Sequence, residues 1–199
     1  MLLNFSVRVL CILGVCNINI PINWCKREHR LETPETRINR EKMPGLTPEQ
    51  IEIVKSTWQL VAKAPEDAGE AILMRFFEKF PDNQKYFPFR NVPRENLKGS
   101  VMFRSHAGRV VAVFQKAVDA FNTADPVATL VEIWTEIART HFRRQIKQKS
   151  FDELKEVVLE ILTAACNLDE VQQTAWAVTL DTIFGIISKE LANLAESSQ

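Results

Sequence analysis

Cysteine is sparse where a disulfide framework would need it. Cys11, Cys16 and Cys25 lie near the amino terminus and only Cys166 lies further on, so no set of bridges can hold the body together. Glycine is scarce as well, at six in 199 residues. That scarcity suits a packed helical core. No segment alternates apolar and polar side chains over a strand's length, and there is no internal repeat or low-complexity tract. The body therefore reads as all-α. Charge of one sign is also missing. Lysine plus arginine equals aspartate plus glutamate at 25 each, and no strongly basic face is available for nucleic acid. The longest uninterrupted apolar run, Val9 to Cys16, is far short of the roughly 20 residues of a membrane-spanning helix. We assign neither a nucleic-acid nor a membrane partner.

What charge there is divides the chain. Residues 1–43 carry a surplus of three positive charges and residues 44–199 the compensating three negative ones. Residues 1–25 are apolar except for Arg8, and residues 26–42 are mixed in charge and contain Pro34 and His29. The first stretch lacks the dense positive start and small-residue cleavage site of a secretory signal. We expect residues 1–43 to be an optional extension and residues 44–199 to be one domain with the chemistry. A body without disulfides suits a reducing cytosol, so a cytoplasmic location is expected; a cleaved leader that exports the protein is the alternative.

Within the body, Thr47-Pro48-Glu49-Gln50 is a capping box with proline in the first turn. Ile51, Val54, Trp58 and Val61 follow as one apolar stripe. Pro65 opens a second helix in which Gly69, Leu73, Phe76, Phe77 and Phe80 share a face. A glycine inside a helix costs roughly 1 kcal/mol, so Gly69 suggests a close helix crossing. Pro81 begins an aromatic, proline-rich corner whose Phe87 and Phe89 are too apolar for an exposed turn. A third helix is expected over about residues 94–118, with Leu97, Val101, Met102, His106, Val110 and Val113 inward. Asp125-Pro126 starts a fourth, with Leu130, Trp134, Ile137 and His141 on one face. Ser150 to Glu153 reads as another capping box, and Asn167 with Glu170 starts the last helix, whose stripe runs from Val171.

His106 and His141 are the histidines of the body, and each sits on the apolar face of its helix. No Asp, Glu or Cys stands three or four residues from either one. Zinc and di-iron carboxylate sites need such ligands clustered, and a catalytic triad needs a nucleophile and a carboxylate beside the imidazole. Two neutral imidazoles among apolar side chains do suit the axial positions of haem iron.

FEKFPDNQKYFPF, SHAGRVVAVF and IARTH resemble the corner, distal-helix and proximal-helix motifs of the globins. The likeness covers about residues 46–195 and is greatest to the intracellular haemoglobins of insects. It implies a globin fold of about seven to eight helices around a pocket for haem b. By position, His141 matches the proximal ligand and His106 the distal histidine. Phe87 matches the phenylalanine that stacks on the porphyrin, Leu73 and Val110 the apolar pair lining the distal side, and Ile137, Ile146 and Leu154 haem-packing positions. Gly69 faces Ala107 in that scheme. The interval from His106 to His141 is longer than in vertebrate globins, with the extra length near Asn122 to Pro126.

The resemblance implies reversible oxygen binding, for storage, facilitated diffusion or buffering, with CO and NO as further ligands. His141 is expected to donate its second ring N–H to the Ile137 carbonyl. His106 is expected either to donate to the gas ligand or to bind the iron itself when no ligand is present, giving a bis-histidine resting state. Arg109 is the first choice for a propionate partner, ahead of Arg90 and Arg144. The chain is expected not to be an enzyme and to be a monomer or weak homodimer. The alternatives are a haem redox enzyme, such as a nitric oxide dioxygenase or nitrite reductase served by a separate reductase, and a secreted oxygen carrier.

Overall fold

A computed structural model describes residues 45–198. The expected boundary at residue 43, the leader readings and His29 lie outside them. Among the described residues there are six α-helices, two short 3-10 segments and no strand. They are α1 (Pro48–Val61), α2 (Pro65–Lys79), α3 (Val101–Ala120), α4 (Pro126–Phe142), α5 (Gln148–Cys166) and α6 (Glu170–Glu196), with the 3-10 segments at Pro81–Tyr86 and Arg94–Asn96. None of these helices is long and apolar enough to cross a membrane.

The start of α1 forms as its sequence dictates. The Thr47 side chain accepts from the Gln50 N–H, and the Gln50 side chain accepts from the Thr47 N–H. The whole stripe Ile51, Val54, Trp58 and Val61 is buried. Trp58 tilts against Phe114 of α3 and Trp176 of α6 at 6.2 and 5.8 Å between ring centroids. The Trp176 indole N–H donates to Thr57 Oγ1 at 2.8 Å, which ties α6 to α1 through a buried bond. Such a bond matters mainly because an unpaired indole N–H in this core would cost ~1–3 kcal/mol.

Helices α2 and α3 cross in contact at Gly69. A Cβ built there would lie 2.2 Å from the Ala107 carbonyl oxygen. The glycine is required because backbone passes against backbone, and the crossing fixes the level of His106 one residue before Ala107.

Three expectations about the elements need correction. The third helix begins at Val101 and not near 94, because Gly99 at φ +77° breaks the chain direction after the Arg94–Asn96 turn. The change of register turns Val101 and Met102 to solvent, at 86% and 54% exposure, and buries Phe103 in their place. The Ser150 box does not form, since α5 already starts at Gln148. The last helix is capped by Asp169 with Gln172 as its box partner, while Asn167 (φ +49°) is the left-handed end of α5. Its buried stripe is accordingly Ala175, Trp176, Thr179, Leu180, Ile183 and Ile187, and Val171 is exposed.

Candidate haem pocket

The aromatic corner is pinned by polar side chains, so its phenylalanines can turn inward. The Gln84 amide donates to the carbonyls of Phe89 and Val92 at 3.2 and 2.7 Å. Asn83, itself buried, donates to Glu153 of α5 at 2.7 Å. Arg94 donates to the Phe77 carbonyl. With the turn held, Phe89 stacks on Phe87 at 5.2 Å and is buried against Phe77 and Phe103. Phe87 is half-buried and meets the His106 ring edge-on at 4.9 Å.

His106 and His141 line the same cleft. Its other walls include Leu73 and Phe76 of α2, Phe87 of the corner, Val110 of α3, and Ile146 and Leu154 on the far side. Seven of the nine residues singled out from the sequence are therefore brought to one place. The remaining two stand off the wall. Ile137 contributes its backbone carbonyl, one turn below His141. Arg109 is exposed and is directed to Ser105 and His106. Sequence reasoning did not pick out Phe76, Tyr86, Asn83, Ser150 and Phe151 for this cleft. Phe76 shares the apolar face of Leu73 in the sequence, a signal that places it beside the cleft.

The tautomer of His141 follows from its partner. Its Nδ1 lies 2.7 Å from the Ile137 carbonyl oxygen, and a carbonyl can only accept. Nδ1 therefore carries the proton, and the lone pair is on Nε2. Phe151 braces the ring at 5.4 Å. Burial lowers the pKa of His141, opposed by the bond to Ile137 and helped by the positive charge of Arg144. His106 is pushed down to about 4, first by burial and then by Arg109, His141 and Arg144. Both imidazoles are thus neutral at physiological pH, the form in which a ring nitrogen can hold a metal.

This donor set fits haem. A flat apolar macrocycle needs apolar walls, a neutral imidazole with its tautomer fixed, and a cation for its anionic edge. Leu73, Phe87, Ile146 and Leu154 supply the first and His141 the second. Arg144 lines the cleft and acts on both imidazoles electrostatically. Arg144 thus stands on the wall of the cleft, whereas Arg109 is bonded to Ser105 and His106 on the exposed side of α3. A larger groove between α4 and α6 is lined by Val127, Val131, Val178 and Ile186. It contains no histidine, and its Asp181 and Glu190 are paired with Lys155 and Arg139.

Comparison with known proteins bears on the family of the chain. The Globin family model matches residues 70–187. Globin CTT-VI of Chironomus thummi thummi is 29% identical over 143 residues, 71% of this chain and 86% of that one. Cytoglobin-2 of Danio rerio is 31% identical over 163 residues, 79% of this chain and 88% of that one. Among solved structures, the hexa-coordinate hemoglobin of Drosophila melanogaster superposes with a TM-score of 0.70 at 42% identity, covering 71% of this chain and 93% of that one.

Proposed function

Since the chain belongs to the globin family, we propose that it binds haem b between His106 and His141 and takes up oxygen reversibly. The observation that carries this is the pair of neutral imidazoles facing one apolar cleft, with the His141 tautomer fixed by the Ile137 carbonyl at 2.7 Å. Haem, when bound, supplies an iron atom that takes a diatomic ligand.

The remaining steps belong to the protein. His141 Nε2 presents the lone pair that holds the iron, and the Ile137 carbonyl keeps the ring from turning and raises its basicity. Leu73, Val110 and Phe87 exclude water from the ligand side. His106 has two uses there: an Nε2–H donates a hydrogen bond to the ligand, whereas an Nε2 lone pair binds the iron directly. We propose the second state for the ligand-free protein, in keeping with the hexa-coordinate Drosophila relative. With haem held there, a ligand would have to displace His106, and its apparent affinity would fall as the closed fraction of the protein rises.

The proposed role is binding in the cytosol, for storage, diffusion or buffering, and not turnover. Optical titration of the reduced full chain with oxygen tests this: reversible spectral change with release under vacuum is expected, and irreversible oxidation on first exposure counts against it. Rapid catalytic removal of nitric oxide in the presence of a reductase would move the assignment to an enzyme. N-terminal sequencing of the native protein tests the location: a start close after residue 25 would favour a cleaved leader, whereas a start at Met43 would fit an optional extension.

A further inference from the structure

The two imidazoles of the cleft are held in opposite tautomers. At His141 the Nδ1 partner is a carbonyl, which places the proton on Nδ1. At His106 the Nδ1 partner is the Nη2 of Arg109 at 3.3 Å. A guanidinium carries donors only and does not give up its proton in a protein. His106 Nδ1 must therefore be the acceptor, and the proton of this neutral ring is on Nε2. The guanidinium is kept in place by a second bond, from Nη1 to Ser105 Oγ at 2.9 Å. Arg109 and Ser105 both lie on the exposed side of α3, so this pair is outside the cleft and acts on it through the ring.

The consequence concerns the choice between the two uses of His106. Donation to a gas ligand requires the proton on Nε2, as found here. Direct binding of iron requires the lone pair on Nε2 and hence the proton on Nδ1, where Arg109 now donates. The two states are mutually exclusive at that atom, so His106 reaches the iron-bound state proposed above only when Arg109 releases its Nδ1. We propose that Arg109 is a positioning residue: by donating to His106 Nδ1 it holds the ligand-donating tautomer and opposes closure of His106 onto the iron. The proposal rests on the haem reading above. It makes Arg109 a device that lowers the barrier to ligand entry, and it assigns Ser105 the part of keeping the guanidinium on the ring.

The experiment compares the full chain with Arg109→Met, Arg109→Lys and Ser105→Ala. Carbon monoxide occupies the ligand position in the reduced protein, so His106 is off the iron and its tautomer can be read by nitrogen-15 NMR of labelled histidine. Only three histidines, His29, His106 and His141, contribute signals. The parent should show His106 with its proton on Nε2, and R109M should shift it toward Nδ1–H. In the reduced, ligand-free protein, R109M should raise the ratio of low-spin to high-spin haem by ~3–10-fold, the effect of losing one partly exposed hydrogen bond. S105A should move both readouts in the same direction by a smaller factor. An unchanged His106 tautomer in R109M overturns the proposal. So does a pattern in which R109M only loosens haem retention and R109K restores it, because Arg109 would then act as a simple anchor of the haem's anionic edge. Absence of haem absorbance in the parent is a separate result, seen before any variant is made, and it removes the haem reading together with this one.

Discussion

Gly69 and Gly185 are both helical glycines, and the structure predicts opposite outcomes for the same substitution. Glycine in a helix interior costs about 0.8–1.0 kcal/mol relative to alanine, so propensity alone favours both changes. At Gly185, on the exposed side of α6, an added Cβ meets nothing within 4 Å. Gly185→Ala should therefore gain up to ~1 kcal/mol. At Gly69 the Cβ would lie 2.2 Å from the Ala107 oxygen and 2.5 Å from its carbonyl carbon. Both are backbone atoms, so no rotamer can relieve the contact and α2 and α3 must move apart. Overpacking costs ~1–3 kcal/mol in a well-packed core, and with an unyielding backbone the upper end applies. After the propensity gain, Gly69→Ala should lose about 2 kcal/mol, or a fall in Tm of ~4–8 °C for a chain of this size. Thermal unfolding followed by circular dichroism measures both variants. His106 precedes Ala107, so G69A should also alter the visible spectrum, and G185A should not. A G69A protein as stable as its parent would refute the crossing as the element that sets the level of His106.

Thr57→Val leaves the buried Trp176 indole N–H without its acceptor and should cost ~1–3 kcal/mol; Thr57→Ser should keep most of it, and urea midpoints separate the two. His106 titrates near 4 in the folded chain against an ordinary 6.5, so the unfolded state binds more protons between those values. Its contribution to stability is present above about pH 6.5 and is lost as pH falls toward 4. The urea midpoint of the parent should accordingly fall more steeply over that window than that of His106→Leu, and equal slopes would contradict the neutral, buried imidazole. His141→Gly should lose haem on dilution and regain it with free imidazole; retention without imidazole would place the anchor elsewhere.

The parts legible in the sequence were those written in local chemistry. The Thr47 capping box, the Asp125–Pro126 start and the stripe through Trp58 follow from short-range rules, and the structure has them all. The two histidines were legible because each lies on an apolar face without acidic neighbours. Register was harder where a left-handed residue intervenes. The apolar pair Val101–Met102 and the buried Phe103 differ by one position, and only the φ of Gly99 at +77° decides which face turns inward. Asn167 had the composition of a helix start but ends α5 in the left-handed region, leaving Asp169 to cap α6. The direction of Arg109 could not be read either. A flexible side chain at the edge of a site has several partners within reach, and Ser105 and His106 become its partners only when the helix positions all three.

The most direct test of the account is the optical spectrum of the purified, reduced, ligand-free full chain, taken with a pyridine measurement of haem content. The expected result is one haem b per chain and a low-spin fraction that His106→Leu abolishes while haem is retained, and that His141→Gly cannot support without added imidazole. A chain that carries no haem, or one whose spectrum is unmoved by either histidine substitution, would contradict it.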